Sequence, residues 1–192
     1  YAFVAYQTAY LKANYPVEFM AALLTSESGN LDKVGIYIEE CRRIGIEVLP
    51  PDINHSFLGF TVEGGAIRFG MGAVKNVGDT PVNAIIAARE EGGPFKDIFD
   101  FCRRVDSKNV NRRVIESLNK AGAFATTRWN RRQVELALDD ALSEGQISQK
   151  EREAGQTSLL DLMAGGDEPA PEMHARPDVP EWPEHELLAF EK

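Results

Sequence analysis

Between Phe69 and Phe124 apolar positions twice recur at helical spacing, each time behind a tight polar turn. Behind the turn Lys75-Asn76-Val77-Gly78, Val82, Ile85, Ile86 and Arg89 fall on one face; behind Val105–Asn109 the same is true of Val110, Val114, Leu118 and Ala121. Thr80-Pro81 predicts the first helix start, a hydroxyl cap followed by a ring that needs no N–H partner, and Gly122 predicts the last stop. Upstream, Tyr1–Asn14 reads as a helix that Pro16 breaks; its aromatics, Tyr1, Phe3, Tyr6 and Tyr10, together with Tyr15, are expected in a core, the alternative being that some stack on bases. A second helix covers Val17–Ser26, and a third, capped by Asn30, covers Leu31–Ile44 with Leu31, Val34, Ile38 and Cys41 on one side. Three short strands follow, Gly45–Leu49, Phe57–Val62 and Ala66–Phe69, the last two closing through Glu63-Gly64-Gly65. Downstream, Asn130 caps a helix through Val134, Leu136, Leu138 and Leu142, with a change of composition expected beyond Gly145. Trp182-Pro183 opens a further helix, Glu184–Lys192. The pattern predicts a mainly α fold with a small β-hairpin or sheet.

The two turns have a chemical use. Gly78 lets backbone approach a ligand with no Cβ in the way. The first amides of the following helix lack partners and carry the positive end of its dipole. Together they suit a phosphate oxygen, and Lys75 and Lys108 add point charges beside the turns. The arrangement resembles a tandem helix-hairpin-helix, an element that grips the DNA backbone without reading bases. The alternative is a pair of helical hairpins packed only for stability, in a scaffold that binds proteins alone. A helix-hairpin-helix nuclease or glycosylase would also need a catalytic lysine or aspartate just past the motif, and none stands there.

Charge sharpens the choice. The net charge is −9, which as a whole disfavours nucleic acid, but it is unevenly distributed. Residues 1–65 hold 4 basic and 8 acidic side chains, 66–135 hold 13 and 8, and 136–192 hold 4 and 14. The positive segment carries the hairpins, and 103–134 alone has nine basic and two acidic residues. Such a distribution suggests one face for phosphate and another kept free of it. Cys41 and Cys102 stand apart, which suits reduced thiols, and His55, His174 and His185 form no ligand cluster. No apolar run approaches the ~20 residues that span a bilayer. Both ends fall inside helical patterns, so a longer polypeptide is expected.

Ala5-Tyr6-Gln7-Thr8-Ala9-Tyr10-Leu11-Lys12-Ala13-Asn14-Tyr15-Pro16-Val17-Glu18-Phe19-Met20-Ala21-Ala22, Tyr37–Arg43, Leu49-Pro50-Pro51-Asp52-Ile53-Asn54, Asn111-Arg112-Arg113-Val114, Ala121–Phe124 and Leu187–Lys192 occur in order along the chain. In these segments it resembles the bacterial replicative DNA polymerase III alpha subunits (C-family polymerases). The resemblance implies the late fingers region over 1–65, the tandem helix-hairpin-helix over 66–125, a basic-capped amphipathic helix over 126–150, an acidic Pro/Gly linker over 151–181 and the start of another helix over 182–192. It implies DNA replication in a bacterial cytoplasm by a DNA-directed DNA polymerase. Its palm carboxylates and their magnesium would lie outside this segment, which by itself is expected to hold no cofactor and to be inactive. Duplex primer-template DNA and a sliding clamp are the implied partners, with other replicase subunits meeting parts outside this chain. The DNA-binding residues expected are Lys75, Asn76, Val77, Gly78, Lys108, Asn109, Arg112 and Arg113. The family usually has glycine at the place of Asn76; asparagine is the next-best residue for positive φ, so the turn should persist. The second turn has no glycine. Gln156-Thr157-Ser158-Leu159-Leu160 resembles the family's clamp-binding peptide, a glutamine for a pocket rim and two aliphatic side chains to fill it. The alternative is a helix end packed on its own domain. The proline- and acid-rich stretch 164–183 is expected to be a mobile linker.

Overall fold

The computed structural model describes residues 1–153 and 174–190. Three helices lead, α1 (Ala2–Asn14), α2 (Pro16–Ser26) and α3 (Leu31–Arg43). Pro16 occupies the first position of α2, where its missing N–H leaves no bond unmade. Asn30 caps α3 as its sequence position suggests, its side chain accepting from the Lys33 amide at 3.2 Å. Met20, Ala21, Leu24, Val34 and Cys41 bury against Ile46, Phe60 and Ile67 in one of two cores. The aromatics of α1 are not part of it: no residue of α1 is buried, and Phe3 and Tyr6 are 71% and 67% exposed. A helix apolar on several sides has too few neighbours here to cover it, so the expectation of a core role is corrected.

The strands are shorter than their apolar runs: β1 (Val48–Leu49), β2 (Thr61–Glu63) and β3 (Ala66–Arg68). β3 is central, parallel to β1 and antiparallel to β2. Gly64 and Gly65, at φ 58° and 86°, make the tight connection that a side chain would strain.

A 3₁₀ turn, Met71–Ala73, then leads to α4 (Asp79–Gly92), α5 (Ile98–Arg104), α6 (Arg112–Lys120) and α7 (Arg131–Glu153). The first hairpin therefore has a single 3₁₀ turn where a leading helix was expected. Val82, Ile85, Phe101, Val114, Ile115, Leu118, Phe124, Val134 and Leu138 share the second core. Gly145 is buried within α7, where α5 and α7 approach too closely for a side chain. Leu136, expected on the apolar face, is 56% exposed. Asn130 does cap α7, accepting from the Gln133 amide at 2.7 Å. The last described helix is α8 (Glu184–Phe190).

The stretch 174–183, expected to be part of a mobile linker, is packed. His174 stacks on Phe99 with ring centroids 3.7 Å apart and meets Glu144 at 2.9 Å. Apolar burial of 174–183 is slight, yet the side chains of Asn130 and Gln133 bind its carbonyls, which composition does not reveal. No helix of the described residues is long and apolar enough to cross a membrane.

Both cysteines are free and buried. Burial pushes the Cys102 thiol up to about 12, with Asp97 and Glu144 adding to it. Thiolate is the reactive form. A thiol reagent at pH 8 is therefore expected to modify neither cysteine in the native state and both after unfolding in urea. Rapid labelling of Cys102 in the folded chain would contradict this packing.

Candidate nucleic-acid interface

The first turn closes through the Val77 amide, which donates to the Val74 carbonyl at 3.0 Å. Asn76 adopts φ 66°, the left-handed conformation expected of it. Lys75 and Asn76 are exposed, whereas Val77 is 5% exposed and points into the core. Val77 thus anchors the turn, and its side chain is withdrawn from the expected contact set. The helix begins two residues before the Thr80-Pro81 start that the sequence suggested, with Gly78 as N-cap and Asp79 as the first helical residue. Gly78 precedes α4 with φ −99° and ψ 179°, and no side chain caps the helix. That conformation is open to any residue, and a Cβ at Gly78 would meet nothing within 4 Å. Among the described residues no contact requires glycine there, and the space it keeps clear lies outside them. Among the described residues the amides of Gly78, Asp79 and Thr80 have no acceptor. Asp79 also places a carboxylate in the first turn of α4, which favours the helix and opposes an incoming anion.

The second turn is different. The Ser107 amide donates to Gln149 Oε1 at 3.1 Å, and the Lys108 amide to Asp106 Oδ1 at 2.8 Å. The amides of Asn109 and Val110 both reach the Asp106 carbonyl at 3.0 Å. Asn109 Nδ2 binds Asp106 Oδ2 at 3.0 Å. The amides of this bend are used internally, so the expected grip at a second turn is corrected. The donors that remain lie a few residues on, at the start of α6. Asn111 caps it by accepting from the Val114 amide at 3.1 Å, and the Arg112 and Arg113 amides have no acceptor among the described residues.

The two arginines have separate fates. Arg112 Nε donates to Glu116 Oε1 at 2.7 Å, and its Nη1 donates to Asp139; these bonds raise its pKa further. Its charge is already answered by two carboxylates. Arg113 Nη2 donates to Asn76 Oδ1 at 2.8 Å, and Asn76 Nδ2 reaches Ser117 Oγ at 3.4 Å. The first turn and the start of α6 are therefore one surface. It holds Lys75, Asn76, Gly78 and Arg113, and neither Lys75 nor Arg113 has a carboxylate within 4.0 Å among the described residues. Lys108 and Asn109 are exposed on the other bend. Ser117 and Gln149, which shape the two turns, carry no sequence signal: each acts across about forty residues of chain. Gln156, Thr157, Ser158, Leu159 and Leu160 lie outside the described residues. No group of three or more His, Cys, Asp or Glu among the described residues could hold a metal ion.

A family model of the helix-hairpin-helix motif matches residues 45–134. The DNA polymerase III subunit alpha of Vibrio cholerae serotype O1 is 42% identical over 193 residues, covering 100% of this chain and 16% of its own length. Those of Pasteurella multocida and Saccharopolyspora erythraea are each 45% identical, again over 100% of this chain and 16% of theirs. The chain thus spans 16% of the length of these curated relatives.

Proposed function

We propose that this chain, a member of the DNA polymerase III alpha-subunit family along its whole length, holds the backbone of duplex DNA for template-directed synthesis by a longer polypeptide. The carrying observation is the shared surface of the first turn and α6. Outward amides at Gly78, Asp79 and Thr80 adjoin Lys75, while Arg113 is tied to Asn76 at 2.8 Å. Amides orient a phosphate oxygen, and the two cations supply field strength. These contacts position the duplex and carry no sequence preference. Arg112 contributes through its main-chain amide, and Lys108 and Asn109 are exposed on the second bend. In this reading residues 1–65 belong to the fingers of a DNA-directed DNA polymerase working in a bacterial cytoplasm. Magnesium and catalytic carboxylates then belong to parts outside this chain. Docking of Gln156–Leu160 on a sliding clamp would add a second weak tether, raising residence by effective concentration.

The test is binding of a labelled duplex at several salt concentrations. Neutralising about three phosphates gives a slope of log affinity on log salt near −2.7, with Kd in the micromolar range or weaker at physiological salt. A flat salt response would favour a protein-binding scaffold whose hairpins serve packing alone, the reading that the internally bonded second bend supports.

A further inference from the structure

Six of the thirteen arginines pair with a carboxylate among the described residues. Arg43 meets Glu40, Arg68 meets Glu63 and Arg104 meets Asp100. Arg128, Arg131 and Arg132, crowded at the start of α7, have no carboxylate within 4.0 Å of their guanidinium groups among the described residues. Arg113 and this corner stand at opposite ends of α6. α6 is nine residues, about 13 Å, long, and near its far end Asn119 Nδ2 donates to the Arg131 carbonyl at 2.8 Å, so the two are close enough for one duplex to touch both.

The corner is covered by 176–182, which forms a strap. Arg176 Nη1 donates to the Arg128 carbonyl at 3.1 Å, Gln133 Nε2 to the Pro177 carbonyl at 3.0 Å and Asn130 Nδ2 to the Val179 carbonyl at 3.0 Å. Trp182 lies 5.1 Å beneath the Arg132 guanidinium. Between these anchors Glu181 lays its carboxylate on the first turn of α7, Oε2 accepting from the Arg131 amide at 3.1 Å. An oxyanion therefore already occupies this place, supplied by the chain itself. Arg131 and Glu181 also line a cavity of about 240 Å³, which leaves room beside them.

We propose that Arg128, Arg131 and Arg132 form a second phosphate-binding surface for duplex DNA, which the strap occludes through Glu181, so that strap and duplex compete. The inference rests on the duplex-binding reading above. The charges argue for competition: a carboxylate on the corner repels a phosphate approaching the same donors, and its withdrawal frees Arg132 from Trp182. The hairpin surface then makes the first contact, and the corner adds contacts only once the strap has lifted.

The test uses the full 192-residue chain and its Glu181→Gln variant, which keeps the acceptor and its size but removes the charge. Duplex affinity is expected to rise about fivefold, with the salt slope steeper by about 1. Adding Arg128→Ala and Arg131→Ala to that variant should abolish the gain. Peptide-level hydrogen exchange over 174–183 should quicken when duplex is added to the unmodified chain. Unchanged or weaker binding by Glu181→Gln, or slower exchange of the strap on DNA, overturns the proposal. Salt-dependent binding by the unmodified chain, with no effect of Glu181→Gln, refutes the strap alone. Absence of binding by both proteins refutes the duplex reading and the strap together.

Discussion

Reversing two charges, Lys75→Glu with Arg113→Glu, is expected to weaken duplex binding about 30-fold at moderate salt, or ~2 kcal/mol. The salt slope should flatten by about 2, one for each phosphate no longer neutralised. The two side chains stand on one surface because Arg113 reaches Asn76 at 2.8 Å. Neither is buried, so the fold should survive; helicity by circular dichroism checks this. Arg112→Glu is the informative companion. Its guanidinium already bridges Glu116 and Asp139, so it presents less charge to a phosphate, and its reversal should cost less affinity than that of Arg113. Equal effects at the two positions would mean that Arg112 leaves its carboxylates to meet DNA. Undiminished binding by the double variant would remove the first turn from the interface.

Replacing Gly145 by alanine should destabilise the chain by about 2 kcal/mol, although alanine is the better helix former by about 1 kcal/mol. A Cβ there would stand 2.4 Å from the Cys102 carbonyl oxygen and 2.8 Å from its carbon. Both obstacles are backbone, so α5 and α7 would have to separate. Valine should be worse. The effect also reaches the site, because α7 carries Gln149, whose side chain holds the second turn through Ser107 and the Val105 carbonyl. A lower urea midpoint with unchanged slope is the expected readout. A stabilised Gly145→Ala chain would show that the two helices do not approach this closely.

The elements themselves were legible because their signals are local. The Asn30 and Asn130 caps, the Gly64-Gly65 connection and the left-handed Asn76 each depend on a few neighbouring residues. The apolar faces of α4 and α6 were equally plain, with Val82 and Ile85 on one and Val114 and Leu118 on the other. The aromatics of α1 misled because periodicity records what a segment can bury, while burial also needs neighbours. The role of Gly145 was not legible, because the Cys102 backbone that a Cβ there would meet is distant in sequence.

The helices, the hairpin turns, the basic segment and the family can all be read from the order of residues, since each follows from spacing, conformational preference or resemblance along the chain. Which donors remain available was settled by folding. Gln149, 42 residues from Ser107, and the Asp106 side chain close the second turn. Asp139, 27 residues from Arg112, answers one arginine, while Arg113 is left beside Asn76. Glu181, 50 residues from Arg131, covers a third. A hydrogen-bonding group or a charge serves an outside ligand only if nothing within the molecule satisfies it first, and those competing partners are brought near by folding across the whole chain.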